Sequence, residues 1–207
     1  MAPQTPPTPK PIALRVELED INPLIWRRIV VPNQWTLASL HRYLQWVMGW
    51  QDTHAHEFHV GQRLIASEWW LEEMGTDPDT PAGEDERRVS VAAVAAELGI
   101  GGAFDYRYDM GDGWSHRLVV EPPPAAWLKH ELPMPACTAG ENACPPDDVG
   151  GPPGYAHFLE RITDTKHEEH AVTLRWIGGV FDPAAIDLNR VNFEWRGAKR
   201  PRSTGRK

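Results

Sequence analysis

The chain has 207 residues, 41% of them hydrophobic and ten of them tryptophan, which is enough for one domain with a sizeable core. Its net charge of −8 disfavours a broad electrostatic grip on a phosphate backbone, and no run of about 18 apolar residues is present to span a membrane. The N-terminus has no apolar signal core, so the chain reads as cytoplasmic, where its two cysteines are thiols or metal ligands rather than a disulfide.

Residues 1–11 form a Pro-rich leader expected to be disordered. Ile12, Leu14, Val16 and Leu18 then alternate with Ala13, Arg15, Glu17 and Glu19, the two-residue period of a half-buried strand. Asn22-Pro23 turns the chain into a second apolar strand from Leu24 to Val31, closed by Pro32 and predicted antiparallel to the first. Thr36 caps a helix in which Leu37, Leu40, Leu44, Val47 and Met48 recur at three- and four-residue spacing, with Gly49 as its stop. His54 to Val60 reads as a strand with His54, His56, Phe58 and Val60 on one face and His59 on the other; Gly61-Gln62 turns it into Arg63-Leu64-Ile65. Residues 72–87 are acidic, interrupted by Pro and Gly, and read as an exposed loop. Ser90 caps a short helix ending at Leu98-Gly99.

Phe104 to Glu121 is a β-hairpin with an acidic turn. A two-residue Asp112-Gly113 turn would mix apolar and polar side chains on each face. A three-residue Gly111-Asp112-Gly113 loop instead aligns Met110 with Trp114, Tyr108 with His116, Tyr106 with Leu118 and Phe104 with Val120, at the modest cost of setting Arg107 opposite Arg117. In that register His116 faces the core or lines a pocket, Asp109 faces the other way and Asp112 sits at the tip. Pro122 to Pro153 is a long irregular connection, expected to be a functional or well-packed loop. Helices are predicted over Gly154 to Ile162, near Glu168 to Trp176 with a stop at Gly178-Gly179, and over Pro183 to Asn192, entered through Asp182-Pro183. From residue 196 onward there are six basic residues and no acidic ones, leaving −14 for the rest of the chain. This end reads as a solvated, disordered tail. The pattern as a whole predicts an α+β fold of antiparallel strands and hairpins packed with several helices, in a single domain over residues 12–195.

Several side chains carry potential chemistry. His116, an imidazole among aromatic rings, needs a hydrogen-bond or metal partner. His54 and His56, projecting the same way from one strand, have the spacing of a zinc-ligand pair, although surface histidines at a strand end look the same. Cys137 and Cys144 lack the tight spacing of a zinc knuckle; either the loop brings both thiolates together or it packs two small buried thiols. Asp147-Asp148 adds carboxylates nearby, and Gly150-Gly151 permits backbone turns closed to other residues. His167 and His170 are three apart, not the spacing of a metalloprotease helix, and read as a solvated face. No Walker loop, Rossmann fingerprint or nucleophile elbow is present, so a standard nucleotide-binding loop is disfavoured.

Several blocks taken together carry a family resemblance: Ile25-Trp26-Arg27-Arg28 with Val30-Val31-Pro32, the helix through Leu40 to Trp50, His54-x-His56-x-Phe58, Tyr108-Asp109-x-Gly111-Asp112-x-Trp114-x-His116, Cys137-Thr-Ala-Gly140, Cys144 through Tyr155, and Phe181-Asp182-Pro183 through Asn192. In that order they resemble the plasmid pRiA4b ORF-3-like family over roughly residues 12 to 195. The resemblance implies a mixed α+β domain carried on plasmids and other mobile elements, with no established reaction to transfer. It also implies that His54, His56, Asp109, Asp112, Trp114, His116, Cys137, Cys144, Asp148 and Tyr155 occupy the family's characteristic polar positions. Asp147-Asp148 stands where the family usually has Glu-Asp.

Two functional readings follow. In the first, the chain is an interaction module, linked to nucleic-acid handling by mobile elements, that engages a protein or nucleic-acid partner through Trp114, Asp148 and Tyr155. In the second, it is a metal-dependent hydrolase or nuclease: His54, His56, His116, Cys137 and Cys144 are the candidate ligands of a divalent ion such as zinc, with Asp109, Asp112 and His116 as candidate catalytic groups.

Overall fold

The computed structural model describes residues 8–75, 82–129 and 132–197. The first seven residues and residues 198–207, which hold most of the predicted leader and tail, lie outside the described residues, as does part of the acidic loop. Eight strands, β1 (Pro11–Leu18), β2 (Ile25–Pro32), β3 (His56–Val60), β4 (Arg63–Ala66), β5 (Glu84–Asp85), β6 (Ala103–Tyr108), β7 (Trp114–Glu121) and β8 (Ala136–Glu141), form one sheet in the order β5-β4-β3-β6-β7-β1-β2-β8. Among the described residues, only the β4–β5 pair is parallel. The helices among the described residues are α1 (Leu37–Met48), α2 (Glu68–Met74), α3 (Val91–Leu98), α4 (Ala125–Leu128), α5 (Gly151–Thr163), α6 (His170–Ile177) and α7 (Leu188–Gly197). The architecture is α+β, and no described helix is long and apolar enough to cross a membrane.

One face of the sheet carries Leu14, Val16 and Leu18 beside Ile25 and Ile29, continues through Leu118 and His116 to Phe104 and Tyr106, and reaches Phe58 and Ile65. All of these are buried. The strand periodicity produces this directly, because alternate side chains share a face. The opposite face carries exposed Asp105, Arg107 and Arg117. Helix α1 lies on the apolar face: the Thr36 side chain caps it by accepting from Ser39 N, and Gly49 ends it with φ 81°. Ser90 caps α3 in the same manner by accepting from Ala93 N. Arg27 sits on the apolar face between Ile25 and Ile29, without a carboxylate partner among the described residues. Its guanidinium donates to the carbonyls of Val47, Trp26, Glu141 and Asn142 and to Cys144 Sγ, which uses the side chain as a tie between α1, β2 and the chain after β8.

The hairpin differs from its predicted register by two residues. Phe104 pairs with Leu118, Tyr106 with His116 and Tyr108 with Trp114, which leaves a five-residue loop from Asp109 to Gly113. The turn starts early because Asp109 adopts φ 56° and its Oδ1 accepts from Gly111 N and Asp112 N. A two-residue shift preserves the faces, so His116 still points inward, and it replaces the Arg107–Arg117 opposition with an Asp105–Arg117 pair. Met110 moves out of the ladder and is partly exposed, whereas Asp109, expected to face outward, is only 7% exposed.

Further differences have local causes. The Pro122–Pro153 connection contains α4, β8 and the start of α5; β8 escapes a hydrophobicity reading because Ala-Cys-Thr-Ala-Gly-Glu has no large apolar side chain. The Asn192 amide bonds both the N–H and the C=O of Cys137 on this strand. Helix α7 begins at Leu188 rather than Pro183, because Asp182 closes a turn onto Ala184 N while Asp187 provides the cap, accepting from Arg190 N. Strand β3 begins at His56, so His54 belongs to the preceding loop.

Candidate functional site

Three chain segments meet at one end of the hairpin: the loop between α1 and β3, the Asp109–Gly113 turn, and the segment leading into α5. Each is tied to the next. Trp50 Nε1 donates to Pro145 O, and Gln51 N donates to Asp147 Oδ2. Asp109 N donates to Ala55 O, and Gly150 N donates to Asp112 Oδ2. Trp50 stacks on Tyr108 with centroids 5.0 Å apart and lies 5.8 Å from Trp114, which gives the junction an aromatic floor. Gly151 is required at the contact. Its φ is 68°, and a Cβ there would lie 2.3 Å from Asp112 O.

This closure converges His54, Asp109 and Asp148. His54 Nε2 is 3.5 Å from Asp109 Oδ2 and 3.2 Å from Asp148 Oδ1, and one ligand atom from each of the three lies within 4.8 Å of the others. Metal ligands at about 2.1 Å from a common ion are separated by about 3.0 Å at cis octahedral positions and about 3.4 Å at tetrahedral ones. The His54–Asp148 separation falls within that range and the His54–Asp109 separation lies just above it. Asp109 is buried and held by the turn, while the Asp148 side chain is 73% exposed, so the cluster opens to solvent on its Asp148 side. Among the described residues, none of Asp109, Asp112, Asp147 and Asp148 forms an ion pair with lysine or arginine. Burial, reinforced by the Asp148 charge, raises the Asp147 carboxyl.

His56 goes elsewhere. Its Nε2 lies 2.7 Å from Glu86 Oε2, and its ring stacks on His41 with centroids 3.4 Å apart and planes 4° from parallel. His41 belongs to a closed circuit whose proton order the donors determine. Asp52 N–H donates to Gln45 Oε1, which leaves Gln45 Nε2 to donate to Tyr106 Oη. Tyr106 Oη–H therefore donates to His41 Nδ1, and His41 Nε2–H donates to Asp52 Oδ1. This order suits a neutral imidazole; burial, and then the neighbouring His56, lower its pKa. His41, Asp52 and His56 also bring ligand atoms within 4.8 Å of one another. Imidazole lone pairs lie in the ring plane, however, and two stacked planes 3.4 Å apart cannot both contain one ion. As arranged, the two rings cannot ligate one ion together. The sequence reading missed His41, Asp52 and Glu86. Its available signal for the first was a histidine in register with Leu37, Leu44 and Met48 on the buried stripe of α1.

The five candidate metal ligands therefore do not share a site. His54 and His56 diverge because the strand begins between them. His116 is fully buried, its Nδ1 donating to Tyr106 O, and its Nε2 has no hydrogen-bond partner among the described residues. Burial holds its pKa down to about 4, so it is neutral. Cys137 is buried in β8, where burial pushes the thiol up to about 11. Cys144 Sγ accepts from Arg27 and lies 3.5 Å from Met48 Sδ, and burial raises its thiol as well. Both cysteines are free thiols. Of the candidate binding residues, Asp148 is at the junction, Trp114 lies beneath it in the aromatic floor, and Tyr155 is buried in α5 with its hydroxyl donating to Ala143 O.

The family model described as plasmid pRiA4b ORF-3-like protein matches residues 10–190. The chain belongs to the pRiA4b ORF-3-like family. It is 40% identical over 185 residues to the uncharacterized protein y4hQ of Sinorhizobium fredii, an alignment covering 87% of this chain and 88% of that one. The crystal structure of a protein of unknown function, MM3350 from Methanosarcina mazei Go1, is similar with a TM-score of 0.73 and 31% identity, covering 90% of this chain and all of that one. In this pRiA4b ORF-3-like chain, several of the blocks that carried the resemblance meet at the junction. The hairpin turn contributes Asp109 and Asp112, the segment before β3 contributes His54, and the segment after Cys144 contributes Asp147, Asp148 and Gly151.

Proposed function

We propose that the chain is a divalent-cation-dependent binding module, in which His54, Asp109 and Asp148 hold the ion and its remaining coordination positions engage the ligand. The observation that carries this reading is the convergence of one imidazole and two carboxylates at ligand-like separations, with one carboxylate exposed. A mixed nitrogen and oxygen donor set suits manganese or zinc better than calcium. The link to nucleic-acid handling takes a specific form here. A corner with four carboxylates and, among the described residues, no arginine or lysine partner repels phosphate unless a cation bridges the two. A hydrolytic role would need a base beside the ion, and the geometry favours binding over turnover: His116 is sealed in the core, and Asp112 Oδ2 is engaged by Gly150 N–H.

Isothermal titration of Mn²⁺ and Zn²⁺ into chelator-stripped protein tests the reading. One equivalent is expected to bind, with affinity falling at least about ten-fold in His54→Ala and in Asp148→Ala and unchanged in Cys137→Ser, one coordination bond being worth more than the roughly 1.4 kcal/mol of a ten-fold step. Absence of binding, or binding that survives the His54→Ala/Asp148→Ala double variant, would overturn it.

A further inference from the structure

Asp148 has a second setting. It lies on the rim of a cavity of about 310 Å³ between α5 and α6, whose lining includes Val149, Phe158, Arg161, Glu169 and Trp176. That volume is at the small end of the range for small-molecule sites, about 300–1,000 Å³. Phe158 and Trp176 meet edge to face with centroids 6.0 Å apart, and Trp176 keeps 52% of its surface exposed. Arg161 Nε lies 2.9 Å from Glu169 Oε2. Among the described residues, the terminal nitrogens of Arg161 make no hydrogen bond.

The lining restricts the occupant. Two aromatic rings and Val149 favour a flat apolar body. Arg161 presents unused donors in the planar fork that matches phosphoryl oxygens. Glu169 neutralises Arg161, and a divalent ion in place neutralises Asp109 and Asp148, so the polar side of the cavity is then no longer net negative and offers the ion and the guanidinium as its two cationic partners. A phosphoryl group has three terminal oxygens, so it can meet a guanidinium and an ion at once with one to spare, and a monoester brings nearly two charges at neutral pH where a carboxylate brings one.

We propose that this cavity binds a phosphate monoester bearing a flat aromatic group, its phosphoryl group held between Arg161 and an ion at His54, Asp109 and Asp148, with the aromatic group against Phe158 and Trp176. The inference rests on the ion reading above and adds the class of ligand. It makes binding conditional. Without the ion, Asp148 and its carboxylate neighbours repel the phosphoryl group, and Arg161, already paired with Glu169, cannot compensate.

Calorimetric titration of phenyl phosphate into the full chain, with and without saturating Mn²⁺, tests the proposal. Phenyl phosphate is expected to bind only with Mn²⁺ present and at least ten-fold more tightly than inorganic phosphate or phenol. Arg161→Ala, a change at a half-exposed position, is expected to weaken phenyl phosphate at least ten-fold while leaving Mn²⁺ affinity as it was. Phenyl phosphate binding that is indifferent to Mn²⁺ or to Arg161→Ala, or absent from Mn²⁺-loaded protein, would overturn the ligand assignment alone. Failure of Mn²⁺ itself to bind would overturn the ion reading and this inference with it.

Discussion

Replacing His116 with leucine changes how stability depends on pH. The folded protein holds this ring neutral, with its pKa lowered from 6.5 to about 4 by burial. As pH falls below 6.5 the unfolded chain takes up a proton that the folded chain refuses, so stability is lost on acidification. The loss approaches about 1.4 kcal/mol per pH unit and stops near pH 4, where the folded ring also protonates. Between pH 7.5 and 4.5 the ring accounts for a loss of about 2–3 kcal/mol. At pH 7.5 leucine forgoes the bond from Nδ1 to Tyr106 O but also removes an Nε2 that has no partner, so the net change there is within about 1 kcal/mol. Urea unfolding of both proteins at one-unit pH steps reads the difference. The lowered His41 acts in the same direction in both and cancels in the comparison. His116→Leu is therefore expected to gain about 2–3 kcal/mol relative to wild type on going from pH 7.5 to 4.5. Parallel stability curves would refute a neutral, sealed His116.

Two further substitutions test the junction and the hydrogen-bond circuit. Gly151→Ala places a Cβ 2.3 Å from Asp112 O at φ 68°, whereas Gly113→Ala meets nothing within 4 Å at φ 71°. Gly113→Ala is expected to cost about 1–2 kcal/mol from backbone conformation alone, and Gly151→Ala measurably more, accompanied by weaker Mn²⁺ binding; thermal melts and calorimetry read both. Tyr106→Phe leaves Gln45 Nε2 and His41 Nδ1 without partners in the core. It is expected to destabilise by about 2–4 kcal/mol in urea unfolding, and a loss below about 1 kcal/mol would contradict a closed circuit.

Much of this architecture can be read from short-range pattern. The alternation in β1, the Thr36 and Gly49 boundaries of α1, the Ser90 cap and the inward face of His116 all depend on side chains a few positions apart, where period and capping chemistry dominate. The hairpin register was less accessible, because the choice between two pairings that keep the same faces depends on how the Asp109 carboxylate engages two backbone N–H groups. β8 was inaccessible for another reason: its small side chains contribute little apolar area, and its place in the sheet comes from pairing with β2, more than a hundred residues earlier.

The candidate site divides in the same way. By itself the sequence determined which residue types were available: the histidines before and within β3, the acidic turn, the paired aspartates and the glycines beside them. The tertiary structure decided their partners. It sent His54 to Asp109 and Asp148 and His56 to His41 and Glu86, although two positions separate them in the chain. It also left His116 and both cysteines outside either cluster. The physical reason is that a ligand set is defined by separations of a few ångströms between side chains from distant segments. Those separations are set by where a strand begins, where a turn closes and which backbone can approach Gly151, and each is a property of the packed chain rather than of any local stretch.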